Sequence, residues 1–161
     1  MPVKQIDYLE VHVVKKLTVA MESYLEVVYD LSQGASTGVR VTDIAAQMDV
    51  SKASVNNAMA VLAGKGLIDN ERYQEIRLTP AGKALAKLIA LKHGIIEEFF
   101  IKALNIDPEI ACVDACAIEH IISPDSIKAM YQYLIDYNIP TSLDLDIKDL
   151  KSVDKNNQGE L

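Results

Sequence analysis

Hydrophobic residues recur at helical spacing between residues 18 and about 33. The stripe consists of Met21, Tyr24, Leu25, Val28 and Leu31. This period predicts a first helix, and the small residues at 34–38 predict the loop that ends it. Residues 1–17 show no clear period and are treated as an N-terminal extension.

Two short helices and a hairpin are predicted next. The shorter of these two helices covers residues 41–48 with Thr42 as its capping residue. The other begins after Ser51 and ends near Gly64 or Gly66. Apolar segments at residues 66–68 and 75–78 flank a polar tip, which predicts two short β-strands. The order helix, turn, helix, hairpin is typical of a winged helix-turn-helix.

Three further helix starts each combine a capping side chain with proline at the first helical position. They are Thr79-Pro80, Asp107-Pro108 and Ser123-Pro124. The helices they open should run over residues 80–104, 108–122 and 124–138, so the fold should be mainly α. The predicted division is an N-terminal extension (1–17), a winged helix domain (18–79), an all-α domain (80–139) and a flexible tail (140–161).

The last two predicted helices carry more apolar side chains than one small layer can hide. These residues are Ile118, Ile121, Ile122, Ile127, Met130, Tyr131 and Leu134. A symmetric homodimer would bury the surplus. The alternative is that the long helix from Pro80 covers it within one chain.

Composition and charge narrow the classes of function. The chain has 161 residues, no apolar stretch long enough for a membrane span and no secretory signal at its start, so we expect a cytoplasmic protein. Its two cysteines should be reduced thiols. A net charge of −7 argues against a general polyanion binder. Residues 38–83, however, hold six Lys or Arg against five acids, so DNA binding there is compatible with the local charge.

The second helix of the helix-turn-helix opens with small and polar residues at the end that such motifs insert into the major groove. The candidate DNA contacts are Ser51, Lys52, Ala53, Ser54, Asn56 and Asn57, together with Arg72 and Arg77 of the hairpin. Serine and asparagine can reach bases or phosphates, and lysine can pair with phosphate. The alternative is an ordinary solvated helix end capped by its serine.

Three groups of side chains have the spacing and chemistry of metal ligands. A thiol, a carboxylate and an imidazole at Cys116, Glu119 and His120 share one helical face, and Cys112 lies one turn earlier. His93 and Glu97 form an i, i+4 pair on the preceding helix.

The third group is Glu22 and Glu26 on the first helix. Each group taken alone has a simpler explanation: the cysteines as buried core residues, the histidine as a helix-surface residue, and the glutamate as a charge that compensates the helix dipole. Together the three groups favour a divalent transition metal, because buried carboxylates and imidazoles need partners.

Several motifs in the same order resemble one known family. They are Met21-Glu22-Ser23-Tyr24-Leu25-Glu26, Val41-Thr42-Asp43-Ile44-Ala45, Leu78-Thr79-Pro80-Ala81-Gly82, Lys92-His93 and Cys116-Ala117-Ile118-Glu119-His120, followed by Ser123. Between about Leu17 and Tyr137 the sequence is similar to the diphtheria toxin repressor and manganese transport regulator family of metal-dependent repressors.

This resemblance implies a winged helix-turn-helix followed by an all-α metal-binding and dimerisation domain. The function implied is transcriptional repression by a homodimer on a palindromic double-stranded DNA operator, with no catalysis and no small-molecule substrate. Metal would link the first helix to the dimerisation helices and set the spacing of the two recognition helices.

The resemblance also implies a ligand set. Cys116, Glu119 and His120 correspond to the family's regulatory site, whose first-helix ligand falls at Ser23, where relatives usually have Met or Asp. The Ser23 hydroxyl, a water molecule, or the neighbouring Glu22 or Glu26 would then take the place of that ligand.

Two further positions bear on the second ion. His93 and Glu97 match the ancillary site of iron-type members, in which Cys112 replaces a histidine, whereas His93 and Glu26 match the second ion of the manganese type.

The identity of the metal follows less directly. A thiolate at Cys116 favours Fe(II) over Mn(II). The tail after Pro140 is too short for the SH3-like domain of iron-type relatives, which favours the manganese type. Both ions therefore remain expected cofactors.

Two alternatives belong to other classes. A winged-helix regulator could respond to a small organic ligand or to thiol oxidation, with Cys112 and Cys116 as core or redox-sensing residues. A metalloenzyme could use Cys116, Glu119 and His120 with an open position, but no nucleophile, phosphate loop or paired catalytic acids accompany them.

Overall fold

The structure is a computed structural model that describes residues 17–34, 37–70 and 75–143. Within these ranges six helices accompany one small hairpin. In chain order they are α1 (Val19–Ser32), α2 (Val41–Met48), α3 (Lys52–Gly64), β1 (Ile68–Asp69), β2 (Arg77–Leu78), α4 (Pro80–Lys102), α5 (Pro108–Ile118) and α6 (Pro124–Asp136). The mainly α winged helix-turn-helix fold predicted from the sequence is confirmed.

The chain divides between Leu88 and Ile89 into two compact units. In the first unit the apolar faces of α1, α2 and α3 meet, and Leu25, Ile44, Met59 and Leu62 are completely buried. These residues belong to the apolar helical stripes of the sequence, and the stripes face the interior of the unit, away from water. No helix among the described residues is long and apolar enough to cross a membrane.

The start of α2 differs from the prediction. Arg40, not Thr42, is the N-cap residue, and its side chain makes no capping bond. The cause is a third extended segment, in which Val39 pairs with Ile76 through backbone bonds of 2.8 and 2.9 Å. Because the chain stays extended up to Arg40, the helix begins at once and Thr42 falls inside its first turn.

The wing is shorter than expected but pairs in the expected sense. β1 and β2 are antiparallel, with Ile68 opposite Leu78 and Asp69 opposite Arg77. The extended segment at Val39 pairs with Ile76, directly before β2, and so ties the loop before α2 to the wing. The tip at residues 71–74 lies outside the described residues.

Thr79 joins the wing to α4. Its hydroxyl accepts from the amide of Gly82 at 3.1 Å, as the predicted cap should, and donates to the carbonyl of Gly66 at 2.7 Å. The backbone of α4 thereby lies directly against the chain at Leu67, whose carbonyl also accepts from the amide of Thr79.

The second unit has its own core. Ile95 and Ile96 of α4, Ala115 of α5, and Ile127 and Tyr131 of α6 are buried together. Asp107 and Ser123 cap α5 and α6 as predicted, each followed by proline. Three capped helices therefore form a compact layer around one apolar centre.

The apolar surplus of the last two helices is mostly hidden within one chain. Of the seven residues expected to need a partner, only Ile121 is largely exposed, at 74%. The others are buried or pack against the core as partly buried side chains. Ile127, Tyr131 and Leu134 are therefore buried without a partner chain, as the alternative predicted, and Ile118, Ile122 and Met130 are partly buried against the same core.

The start of the predicted flexible tail is packed against α4. The backbone amide of Ser142 donates to Glu98 at 2.9 Å, the Ser142 hydroxyl also donates to Glu98, and the Lys102 ammonium reaches the carbonyl of Pro140. Leu143 packs against the core of the second unit. Residues 140–143 thus depart from the expectation, whereas residues 144–161 lie outside the described residues.

The ionised carboxylate of Glu98 should stabilise the folded chain at pH values above the acidic range. Burial of its carboxylate alone would raise the pKa, but hydrogen bonds from Ser142, Thr141 and Lys102 outweigh it and hold the pKa below the ordinary value of 4.5. The stabilisation is therefore complete above that value and is lost as pH falls through the lowered folded pKa.

We expect the stability difference between the natural chain and Glu98→Gln to be larger at neutral pH than in acid. Urea unfolding at several pH values measures it, with the exposed Glu109→Gln as control. A difference that stays constant with pH would contradict this role of Glu98.

Candidate functional site

Both cysteines are exposed thiols on α5. The helix itself ends at Ile118, four residues earlier than predicted, because the amide of Ile121 bonds back to the carbonyl of Ile118 at 3.0 Å and tightens the last turn. Glu119 becomes the C-cap residue in right-handed helical conformation. Cys116 therefore remains on the helix while Glu119 and His120 leave from its end.

A carboxylate lies almost completely buried at this helix end. The side chain of Glu119 is 1% exposed. One oxygen lies 2.8 Å from Nδ1 of His93, and the other lies 3.2 Å from Nε2 of His120, whose side chain is 5% exposed. A charge at this depth needs a positive partner, and two imidazoles supply it only when protonated.

His93 connects the groups that the sequence left as separate pairs. Besides Glu119, its Nδ1 lies 3.7 Å from the sulfur of Cys116, and its Nε2 lies 3.6 Å from Glu97. The structure thus brings together the predicted ligand pair on α4 and the predicted ligands on α5. Cys112 joins them, because its sulfur, that of Cys116 and a ring nitrogen of His93 all lie within 4.8 Å of one another.

The first-helix candidates belong to the first unit. Glu22, Ser23 and Glu26 lie on α1 and are partly buried. The hydroxyl of Ser23 donates to the carbonyl of Val19 at 3.1 Å, one turn back along its own helix. That one of the three supplies a metal ligand stays a prediction.

The donor set of the second unit fits a divalent transition metal. It combines thiols, imidazoles and carboxylates, with the carboxylate of Glu119 buried between two imidazole nitrogens. A cation held there would replace the protons those nitrogens otherwise need to balance the charge, and would act as a Lewis acid toward every donor. That Cys116, Glu119 and His120 together hold it, with His93 and Glu97 beside them, stays a prediction, since the structure groups the thiols with His93 and places Glu119 between His93 and His120.

The candidate DNA surface is the start of α3. Ser51, Lys52, Ala53, Ser54, Asn56 and Asn57 are all exposed, whereas Val55 between them is buried and fixes the helix in place. Ser51 caps α3 by accepting from the amide of Ser54 at 3.1 Å. The first turn has no acidic residue, so nothing there repels a phosphate from the positive end of the helix dipole.

The hairpin contributes one described candidate. Arg77 is exposed and lies 3.8 Å from Glu75. Glu75 in turn accepts from the backbone amide of Gly38 at 2.8 Å, a contact that sequence patterns did not indicate. Arg72, the other hairpin candidate, lies outside the described residues.

Comparison with known proteins finds one family model for each of two successive parts of the chain. Residues 16–76 match the N-terminal DNA binding domain of the iron dependent repressor, and residues 79–138 match its metal binding and dimerisation domain. The HTH-type transcriptional regulator MntR of Oceanobacillus iheyensis is 31% identical over 144 residues, which cover 89% of this chain and 95% of that protein.

Solved structures of metal-dependent regulators are similar to this chain as well. The manganese regulator SloR is 28% identical with a TM-score of 0.63, over 74% of this chain and 54% of the other. ScaR with bound Zn²⁺ is 28% identical with a TM-score of 0.62, over 73% of this chain and 54% of that one. This chain therefore spans about half the length of those two solved proteins. With a DNA-binding domain and a metal-binding domain both matched, the chain belongs to the iron-dependent repressor family of metal-dependent transcriptional regulators.

Proposed function

We propose that this chain represses transcription by binding a palindromic operator as a homodimer when Fe(II) or Mn(II) occupies the donor set around Glu119. One observation supports this most directly. The buried Glu119 carboxylate lies within 2.8 Å of one imidazole and 3.2 Å of another, with a thiol sulfur 3.7 Å from the first. No core-packing role explains such a convergence of donors, and metal binding does.

The DNA-contacting part of the proposal rests on α3. Its exposed, uncharged or basic first turns offer Asn56, Asn57 and the serines to base edges and Lys52 to phosphate. Two copies of the chain present two such helices, which is why a two-fold symmetric operator fits. The exposed apolar residues of α5, Ile110 and Val113, are the side chains we propose as the contact between copies, together with Ile121.

Regulation follows from linkage. If metal favours the DNA-binding form of the dimer, bound DNA must tighten metal binding by the same factor that metal tightens DNA binding. A coupling of this kind is usually about 5- to 150-fold. We therefore predict that the factor by which metal tightens DNA binding equals the factor by which DNA tightens metal binding.

The test begins with selection of palindromic duplexes from a random library in the presence of Fe(II) or Mn(II), kept anaerobic for iron. DNA affinity is then measured with metal and after chelation, and metal affinity with and without the selected duplex. Removal of metal should weaken DNA binding by the factor found in the second titration. Equal DNA affinity in metal and in chelator would overturn the proposed function.

Lys52→Ala should weaken binding to every duplex alike. Because Lys52 is exposed in the first turn of α3, we expect it to neutralise one phosphate, so the slope of log affinity against log salt should fall by about 0.9. Fluorescence anisotropy between low and moderate salt measures this slope. The control is Lys128→Ala on α6, whose slope should not change. A sequence-dependent loss with an unchanged slope would instead assign Lys52 to base contact.

A further inference from the structure

A short segment that follows α6 returns to the middle of α4. Asn138, just beyond α6, has a left-handed backbone with a φ of 51°, which turns the chain back on itself. Residues 140–143, which we call the strap, then contact α4. The first contact is a hydrogen bond from the ammonium of Lys102 to the carbonyl of Pro140.

The strap meets α4 at two more positions, each one turn further back along the helix than the last. Glu98, one turn before Lys102, accepts from both the amide and the hydroxyl of Ser142. At Gly94, another turn back, a β-carbon would lie 2.9 Å from Cδ2 of Leu143. The missing side chain therefore lets Leu143 approach the helix, and the strap runs antiparallel to α4.

We propose that the strap is a positioning segment for the candidate metal donors on α4, and that its contacts at Gly94 and Glu98 set the affinity of those donors for the ion. The donors His93 and Glu97 each directly precede one of these two residues. The inference rests on the proposed function, since it takes His93 and Glu97 to lie at the metal.

The geometry of α4 gives the strap this influence. Neighbouring residues of a helix point about 100° apart, so α4 carries its donors on one side and its strap contacts on the next. A rotation of about 10° moves an atom about 6 Å from the helix axis by about 1 Å. A binding site tolerates displacements of only about 0.5 Å. Contacts one turn apart resist such a rotation, and so keep Nδ1 of His93 at 2.8 Å from Glu119 and 3.7 Å from the sulfur of Cys116.

Apolar packing alone fixes this rotation less well. The contacts of Ile95 and Ile96 with the core are non-directional, whereas hydrogen bonds have a preferred geometry. Glu98 is only 8% exposed, and both of its oxygens have partners on this side of α4: one accepts from Ser142 and the other lies 3.2 Å from Lys102. The strap therefore adds directional bonds to a helix that the core holds mainly by contact.

Leu143→Ala should weaken metal binding by at least about 10-fold while the chain stays folded, as is usual for groups that orient metal ligands. The full chain is titrated with Mn(II), and anaerobically with Fe(II), in competition with a chelating dye and without DNA. Circular dichroism under the same conditions checks that each variant is folded. Leu143→Met keeps the volume of the side chain and should bind metal as the natural chain does.

Met130→Ala on α6 is the matched control, because it also removes a partly buried side chain from the same core but leaves the strap intact. It should lose stability in urea and keep its metal affinity. Metal affinity that is unchanged in Leu143→Ala, or lowered equally in Met130→Ala, would overturn the inference and leave the proposed function standing. Weaker metal binding by Leu143→Ala alone would support the inference even if DNA affinity proved equal in metal and in chelator, a result that removes only the proposed function.

Discussion

Replacing Glu119 by glutamine should abolish the response of DNA binding to Fe(II) or Mn(II) while leaving a folded chain. The change removes the charge that a cation would balance, yet it keeps the volume and the hydrogen-bonding reach of a side chain that is 1% exposed. Even residues that only orient metal ligands change affinity by about 10- to 100-fold. A direct ligand should therefore cost at least about 100-fold.

Metal titration and operator binding measure the effect of Glu119→Gln side by side. Glu109→Gln, an exposed acid in the first turn of the same helix, is the matched control and should behave as the natural chain. Glu26→Gln in the same assays tests the ligand predicted on α1. Full metal response in Glu119→Gln would show that the regulatory ion lies elsewhere.

Capping chemistry explains why most element starts could be predicted. Ser51, Thr79, Asp107 and Ser123 each accept from an amide of the first turn that has no partner within its helix. That preference is local, so it is visible in a few neighbouring residues. At α2 it fails, because the pairing of Val39 with Ile76 is a contact across 37 positions and decides where the chain can first turn into a helix.

The candidate metal site shows the same limit. Spacing along the chain predicted that Cys116, Glu119 and His120 share one site and that His93 pairs with Glu97, and the structure places His93 3.6 Å from Glu97. It gave no indication that Nδ1 of His93 would reach both Glu119 and Cys116, since that contact depends on how α4 packs against α5.

The prediction of a dimer rested on a count of apolar residues, of which the structure leaves Ile121 largely exposed. A count of apolar residues cannot tell which of them face the core of their own chain. In the structure Ile127 and Leu134 do so, whereas Ile110, Val113 and Ile121 remain 56, 68 and 74% exposed. Only packing separates the two groups, because both lie in similarly apolar stretches of sequence.

Gly82→Ala should strongly destabilise the first unit. A β-carbon at this position would lie 1.8 Å from the carbonyl oxygen of Leu67 and 2.8 Å from its carbonyl carbon. Both are backbone atoms, and the same oxygen accepts from the amide of Thr79, so it cannot move without breaking the junction between wing and α4. Overpacking of this kind typically costs about 1 to 3 kcal/mol, and contact with fixed backbone puts this variant at or above the upper end.

Gly64→Ala separates this steric effect from helix propensity. Gly64 is also helical, at the end of α3, and a β-carbon there would meet nothing within 4 Å. Alanine should therefore leave stability unchanged or raise it by up to about 1 kcal/mol, as expected from the lower conformational entropy of the unfolded chain. Chemical denaturation of the two variants measures both effects. Equal stability of Gly82→Ala and Gly64→Ala would mean that α4 does not lie against Leu67 in solution. The junction between the wing and α4 would then have to differ from the one described.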